Sequence, residues 1–296
     1  MKFSFFLATP FRQQRLPAWQ PIVSANIVIS WSFVIGATFL PLGWFLLVSS
    51  DKILDFSYNY TGCQSLENPQ FTCAEAIRQN ISSPCTCRLY FQINQSFVRP
   101  AFFYYALTNY YQNHRRYSRS RDDTQLFGYS SSGKRLRKNC WPYHKRYDNI
   151  TRKELPIAPC GAIANSLFND TFRLFCMNDS SQIELKLLRN GIAWPSDKLY
   201  RFHNPEPISY LKSYTHPPAW HQYLYKLDSG PDSFGFQYEP LIVWMRVSAL
   251  PKFRKLYARI LHEGLFDRGL PNGKYFVEIS YSRFKIHFLF LVGCVF

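Results

Sequence analysis

Residues 22–49 contain no charged side chain. A helix that crosses the hydrocarbon core of a bilayer needs about 20 residues, so this run is long enough to span with some tilt. The apolar core of a cleaved signal peptide is only about 7–15 residues, a weaker fit. A buried globular helix is the ordinary alternative. Pro41 falls late in the run and is expected to kink the helix. Asn26 and Ser30 lie one turn apart, where they can hydrogen-bond a neighbouring helix, and Gly36 and Gly43 permit close approach. Trp19 precedes the run, in the region where interfacial aromatics sit. The leading flank carries Lys2, Arg12 and Arg15 and no acid, whereas the trailing flank begins Asp51, Lys52, Asp55. That bias puts the N-terminus in the cytosol and everything beyond Ser50 in the lumen.

Two further features agree with this topology. N-x-S/T sequons occur at Asn59, Asn80, Asn94, Asn149, Asn169 and Asn178, all after the apolar run, where glycosylation is chemically possible. Cys63, Cys73, Cys85, Cys87, Cys140, Cys160 and Cys176 lie in the same region, and an oxidising lumen would pair most of them. Their number is odd, so at least one stays free or pairs between chains. Zinc is the competing use of Cys85-Thr-Cys87. A single intervening residue is shorter than the usual ligand spacing, so no metal site is assigned.

At 296 residues, with 47% hydrophobic and 18% aromatic side chains, the chain can fill one large or two small cores. A formal charge of +16 suggests nucleic acid, anionic lipid or an acidic partner. A lumenal domain leaves nucleic acid the poorest of these.

Beyond the span the pattern reads as mainly β. Leu89, Phe91 and Ile93 alternate with polar neighbours, as do Ile183, Leu185 and Leu187, and Tyr275, Val277, Ile279 and Tyr281. The exception is Phe253, Leu256, Tyr257 and Ile260, whose spacing predicts a helix, preceded by Pro251 and closed by Gly264 as a C-cap. Residues 130–153 are polar and basic and read as a long excursion bracketed by Cys140 and Cys160. Residues 205–231 read as loop.

Catalytic motifs are absent. The run Gly128-Tyr-Ser-Ser-Ser-Gly-Lys134-Arg135 has a phosphate-loop outline, but Arg135 stands where a Mg²⁺-coordinating hydroxyl is needed and no apolar strand leads into it. It reads as a Gly/Ser turn. His216 and His221 lack a third ligand at metal spacing. No nucleophile elbow occurs.

The most unusual stretch is Tyr104-Tyr-Ala-Leu-Thr-Asn-Tyr-Tyr-Gln-Asn-His-Arg-Arg-Tyr-Ser-Arg-Ser-Arg-Asp-Asp123. Aromatics interleaved with arginines suit single-strand nucleic acid, cation–π stacking or anionic ligands. The plainer reading is an aromatic strand entering a solvated turn, with Asp122 and Asp123 neutralising arginines.

This stretch resembles the cell cycle control protein fifty family, also called the transmembrane protein thirty family, and its C paralogue most of all. The resemblance continues in Arg12-Gln-Gln-Arg-Leu-Pro-Ala-Trp-Gln-Pro21 and in Pro156-Ile-Ala-Pro-Cys-Gly-Ala-Ile-Ala-Asn-Ser-Leu-Phe-Asn-Asp-Thr171. It recurs in Gly191-Ile-Ala-Trp-Pro-Ser-Asp-Lys198 and in Ile242-Val-Trp-Met-Arg-Val-Ser-Ala-Leu-Pro-Lys-Phe-Arg-Lys-Leu-Tyr257. These blocks run in family order over residues 12–281.

Members of that family are accessory β-subunits of type IV P-type ATPases, the phospholipid flippases. The resemblance implies a noncatalytic subunit without a cofactor, which helps the ATPase fold, leave the endoplasmic reticulum and cycle. It implies as partners a catalytic α-subunit and membrane lipids, with no nucleic acid. It also implies two transmembrane helices around a lumenal β domain. Cys140 and Cys160 match a family disulfide, and Asn169 and Asn178 match family glycosylation sites. Cys85-Thr-Cys87 matches part of a nested four-cysteine cluster, with Cys73–Cys87 as the outer bridge and Cys63 as a candidate partner of Cys85. After Tyr281 the family continues with more lumenal domain and a second span. This chain instead runs Phe288-Leu-Phe-Leu-Val-Gly-Cys-Val-Phe296, about half of a span. The expectation is a truncated, alternatively spliced or incomplete tail.

The expected organisation is therefore a cytosolic tail (1–21), a transmembrane helix (22–49), a glycosylated lumenal or extracellular domain of antiparallel sheets with some helix (50–281) and a divergent apolar tail (282–296). Trp19, Asn26, Gly36 and Gly43 are the expected partner contacts. The expected location is the endoplasmic reticulum, Golgi and plasma membrane. The rival readings are a lumenal enzyme, which no motif supports, and a stand-alone glycoprotein binding an anionic ligand.

Overall fold

The computed structural model describes residues 10–11, 13–17, 24–79, 84–130, 133–148, 152–178, 181–227, 233–282 and 287–294. The chain forms two compact units, residues 1–52 and 53–296.

The first unit is built on helix α1, Ala25–Asp51. No residue of it is buried, and its most apolar stretch has a mean hydropathy of 1.8. At 1.5 Å per residue it is about 40 Å long. A helix that is apolar on every face has no aqueous side, and α1 is long and apolar enough to cross a membrane. Pro41 lies inside it.

The second unit is built on two antiparallel sheets. The larger runs in the order β1 (Asp55–Asn59), β13 (His287–Cys294), β4 (Ala101–Thr108), β10 (Phe253–Ile260) and β9 (Leu187–Leu188). The other runs β2 (Cys85–Ile93), β12 (Gly273–Tyr281), β7 (Thr171–Asn178) and β8 (Ser181–Leu185). Two ribbons complete the β structure, β3 (Phe97–Val98) with β11 (Gly269–Leu270), and β5 (Lys145–Asp148) with β6 (Lys153–Pro156). Short helices fill the connections: α2 (Cys73–Arg78), α3 (Arg115–Ser118), α4 (Asp123–Leu126), α5 (Gly133–Cys140), α6 (Ala162–Asn165), α7 (Pro195–Tyr200) and α8 (Glu239–Met245). Helix α2 starts at a capping box in which Thr72 and Glu75 satisfy each other's backbone amides.

The two large sheets meet through aromatic rings. Phe103 on β4 and Tyr257 on β10 lie 5.2 and 4.9 Å from the ring of Phe172 on β7. All three are buried, and each ring removes a large apolar area from water. Strand alternation accounts for this core. Phe103, Tyr105 and Leu107 point inward from β4, and Tyr275, Val277, Ile279 and Tyr281 point inward from β12.

Four expectations change. The strand expected from the alternation of Ile183, Leu185 and Leu187 is split, with Ile183 and Leu185 in β8 beside β7 and Leu187 in β9 beside β10, in different sheets. The helix expected over 253–260 is strand β10, paired with β4 and β9. Its register with β4 shifts between Leu256 and Ala258, a β-bulge. The extra residue reverses the in–out parity, so Tyr257, Ala258 and Ile260 are all buried and the spacing imitates a helical face. Residues 130–153 are not wholly irregular: they hold α5 and β5. The apolar run 288–296, read as half of a membrane span, lies largely in β13, whose backbone pairs with β1 on one side and β4 on the other. A short apolar run suits a central strand, whereas a spanning helix needs about 20 residues.

Candidate functional site

One cleft on the second unit gathers side chains that sequence spacing did not single out. It lies between the 191–195 loop, α8 and β10, and its volume is about 570 Å³. Gly191 opens the loop with φ +67, and a Cβ there would come within 2.7 Å of the Arg259 guanidinium. That φ is strained for a residue with a Cβ, which would also push the guanidinium tip aside. Pro195 then starts α7 at a position where its missing N–H costs nothing.

Two buried ionic groups fix the walls. Glu239, at the start of α8, accepts from the amides of Ile192 at 2.7 Å and Ala193 at 3.0 Å, and from Lys198 Nζ at 3.1 Å. Burial raises this carboxyl, but the amides of Ala193, Gly191 and Ile192 with the Lys198 ammonium bring it below its usual value. At the other end of α8, Lys255 Nζ donates to the carbonyls of Val243 at 3.0 Å, Trp244 at 2.8 Å and Arg246 at 2.6 Å. A cation at a helix C-terminus satisfies carbonyls that otherwise lack partners. Burial, with Arg246 nearby, pulls the Lys255 pKa down to about 7, while the three acceptors favour the charged form.

The rim is aromatic and cationic. Arg246 stacks over Trp194 at 4.8 Å and Arg254 over Tyr104 at 5.3 Å. Trp194 is 63% exposed. Asp197 is shared by Arg201 and Arg246, each at 3.4 Å. Phe102, Val243, Val247 and Leu256 supply apolar lining.

The aromatic and arginine-rich stretch 104–123 divides between core and surface. Tyr105 stacks on Phe168 at 3.9 Å, and Tyr117 bonds Tyr110 and Ser166. Asp123 pairs with Arg121 at 2.9 Å, and the buried Asp122 holds Arg135 at 3.1 Å and Asn139 at 3.2 Å. Arg115, Arg116 and Arg119 are exposed. The plainer reading of this stretch fits that geometry. A second cleft of about 760 Å³ lies against α5, with Lys134, Arg137, Lys145, His144 and Trp141 in its lining. His216 bonds the Pro217 carbonyl and His221 lines another cleft, so the two histidines have separate surroundings.

Cys140 is bonded to Cys160 over a separation of 20 residues. The four-cysteine cluster is nested, but its outer bridge is Cys63–Cys87 and its inner bridge Cys73–Cys85, in place of Cys73–Cys87. An antiparallel bridge between Gln64 and Thr72 sets Cys63 beside Cys73, whose amide donates to the Cys63 carbonyl at 2.9 Å. Cys85 and Cys87 share the buried face of β2, so two neighbours face two neighbours. Cys176 is buried and free.

Among the sequons, Asn59, Asn94 and Asn178 are exposed and Asn169 is half-buried. Asn59 Oδ1 accepts from the amide and hydroxyl of Thr61 within its own sequon. Asn80 and Asn149 lie outside the described residues, as does Trp19. Asn26, Gly36 and Gly43 lie on α1, and a Cβ at either glycine would meet nothing within 4 Å.

A family model described as the LEM3 (ligand-effect modulator 3) family / CDC50 family matches residues 46–288. Cell cycle control protein 50A of Bos taurus is 43% identical over 94% of this chain and 75% of its own length. Cell cycle control protein 50B of Homo sapiens is 42% identical over 93% and 78%. Cell cycle control protein 50C of Mus musculus is 36% identical over the same shares. Among these three the C relative is the least similar, against the expectation from the sequence blocks.

Proposed function

The chain belongs to the CDC50 family, and we propose that it is a noncatalytic accessory (β) subunit of a phospholipid-translocating type IV P-type ATPase. In this role it supports folding of the catalytic subunit, its exit from the endoplasmic reticulum, and transport of aminophospholipids to the cytosolic leaflet. The observation that carries the reading is the extent of the family match, which runs from residue 46, near the end of α1, to residue 288, at the start of β13, and so takes in all three disulfides of the β unit. Helix α1 serves as the membrane anchor, with the N-terminus in the cytosol and the β unit in the lumen. Trp19, Asn26, Gly36 and Gly43 contact the partner's helices. Asn169 and Asn178 carry glycans.

Two measurements test this. Co-expression with each candidate ATPase should yield a complex that co-purifies and leaves the endoplasmic reticulum, read as glycans resistant to endoglycosidase H. Full deglycosylation should shift gel mobility by several glycans. A chain that associates with no type IV P-type ATPase, or whose mobility ignores deglycosylation, is incompatible with the assignment.

A further inference from the structure

Helix α5 carries Lys134-Arg-Leu-Arg-Lys138, four cations in five residues. Leu136 and Cys140, one turn apart, are its buried residues, and the Cys140–Cys160 bridge holds that face down. Arg135 and Asn139 lie beside them and both bond the buried Asp122. At 3.6 residues per turn, Lys134, Arg137, Lys138 and Trp141 then form one stripe on the side away from Leu136 and Cys140. All four are exposed, Trp141 by 69%. The Trp141 amide still donates to the Arg137 carbonyl, so the helical path reaches this ring.

The charge of the stripe is uncompensated. Arg135 is held by Asp122 and Lys145 by Glu154, whereas Lys134, Arg137 and Lys138 make no ion pair among the described residues. Glu154 is the one carboxylate lining the adjoining cleft. Cations at this density suit nucleic acid or a sulfated polysaccharide such as heparin. The cleft, about 760 Å³, offers Trp141 as an aromatic wall with Ser213 and Tyr214. We propose that the α5 stripe and this cleft bind a sulfated polysaccharide. Its sulfate oxygens meet Lys134, Arg137 and Lys138, and the apolar face of a sugar ring packs on Trp141. The lumenal or extracellular placement selects the polysaccharide over nucleic acid, and it is the only part of the accessory-subunit reading on which the site rests.

The test is binding of the full chain, in detergent, to immobilised heparin and to fully desulfated heparin. It is run at 0.15 M NaCl, where exposed charges more than about 8 Å apart are largely screened. The chain should bind the sulfated form and ignore the desulfated one. Lys134→Ala with Arg137→Ala should weaken binding about tenfold or more. Arg115→Ala with Arg116→Ala, an exposed pair of equal charge on α3, should change it less than about twofold. Trp141→Ala leaves the charge untouched and should weaken binding about threefold. Mass-spectrometric detection of the Cys140–Cys160 bridge checks the fold of each variant.

No binding, equal binding to desulfated heparin, or equal losses from the two cationic pairs overturns the site. Indifference to Trp141→Ala overturns the polysaccharide in favour of a general polyanion surface. Deglycosylation of the same preparation reports the placement separately. A glycan shift without heparin binding overturns the site and leaves the subunit reading standing. Binding without any glycan shift overturns the placement, and with it the polysaccharide as ligand.

Discussion

The hydroxyl of Tyr60 donates to Oδ2 of Asp170 at 3.1 Å, joining positions 110 residues apart in the chain. The Ser282 amide donates to Oδ1 of the same carboxyl at 2.8 Å. Asp170 thereby ties the segment after β1 to the start of β7 and the end of β12. It is 2% exposed.

Burial pushes the Asp170 carboxyl up to about 7, against about 3.9 in an unfolded chain. The folded state holds this proton more tightly. The resulting stability is complete below about pH 4 and is lost as pH rises through about 7, with a slope of at most ~1.4 kcal/mol per pH unit. The thermal midpoint of the full chain in detergent should fall between pH 5 and pH 7.5. Asp170→Asn should flatten that fall while leaving the Asn169 sequon intact. Parallel profiles for the two proteins would remove Asp170 as the cause.

The nested bridges predict an order among cysteine variants. Removing Cys63 and Cys87 together deletes one bridge and leaves Cys73–Cys85 whole. Removing Cys73 and Cys87 together breaks both and leaves two thiols that are not partners. Each bridge contributes about 3 kcal/mol if its stabilisation comes from loop closure. The first double variant should therefore be exported better than the second, and equal retention would count against the pairing. Cys140→Ser should likewise be retained in the endoplasmic reticulum, because it opens the bridge to Cys160.

Lys255→Met keeps much of the buried volume but strands three carbonyls at the end of α8. Unpartnered buried acceptors and the lost charged bonds should cost about 3 kcal/mol. Chemical denaturation of the full chain reads this directly. The neighbouring exposed Arg254→Ala should stay within about 0.5 kcal/mol of the parent. A Lys255→Met protein as stable as the parent would show that the ammonium does not hold α8 in place.

Gly36 and Gly43 lie two turns apart on α1, and among the described residues a Cβ added at either would meet nothing within 4 Å apart from the helix's own backbone. Leucine at either position should leave the β unit folded, as judged by its disulfides and glycans. Co-purification with the ATPase should nevertheless drop several-fold, because the larger side chain holds a partner helix away. Unchanged recovery would place the helix contact on another face of α1.

Local sequence rules located elements whose signal is local. The uncharged run yields α1, and the alternation in 89–93 and 275–281 yields β2 and β12. The same rules misread 253–260, because a bulge at Leu256 and Ala258 exists only when β4 lies alongside to define a register. The Cys73–Cys87 bridge that the family resemblance implied is not the one formed. Cys63 reaches Cys87 through a bridge between Gln64 and Thr72 that no spacing announces. Trp194, Arg246 and Arg254 lay inside the quoted blocks 191–198 and 242–257 with nothing to mark them as neighbours.

Composition and order along the chain were enough to establish the apolar helix, the β-rich character, the cysteine supply, the sequons and the family. Each of these is a property of a short window or of residue identity, which water and lipid read without reference to distant parts of the chain. The tertiary structure decided which cysteines bond, which face of β10 is buried, where the apolar tail lies and which arginines share a cleft. Those outcomes depend on contacts that chain order does not announce, from the disulfides 12 to 24 positions apart to the Arg88–Glu278 contact across 190 positions. Such contacts form only when the sheets bury a common aromatic core, so their partners are set by that packing and not by local pattern.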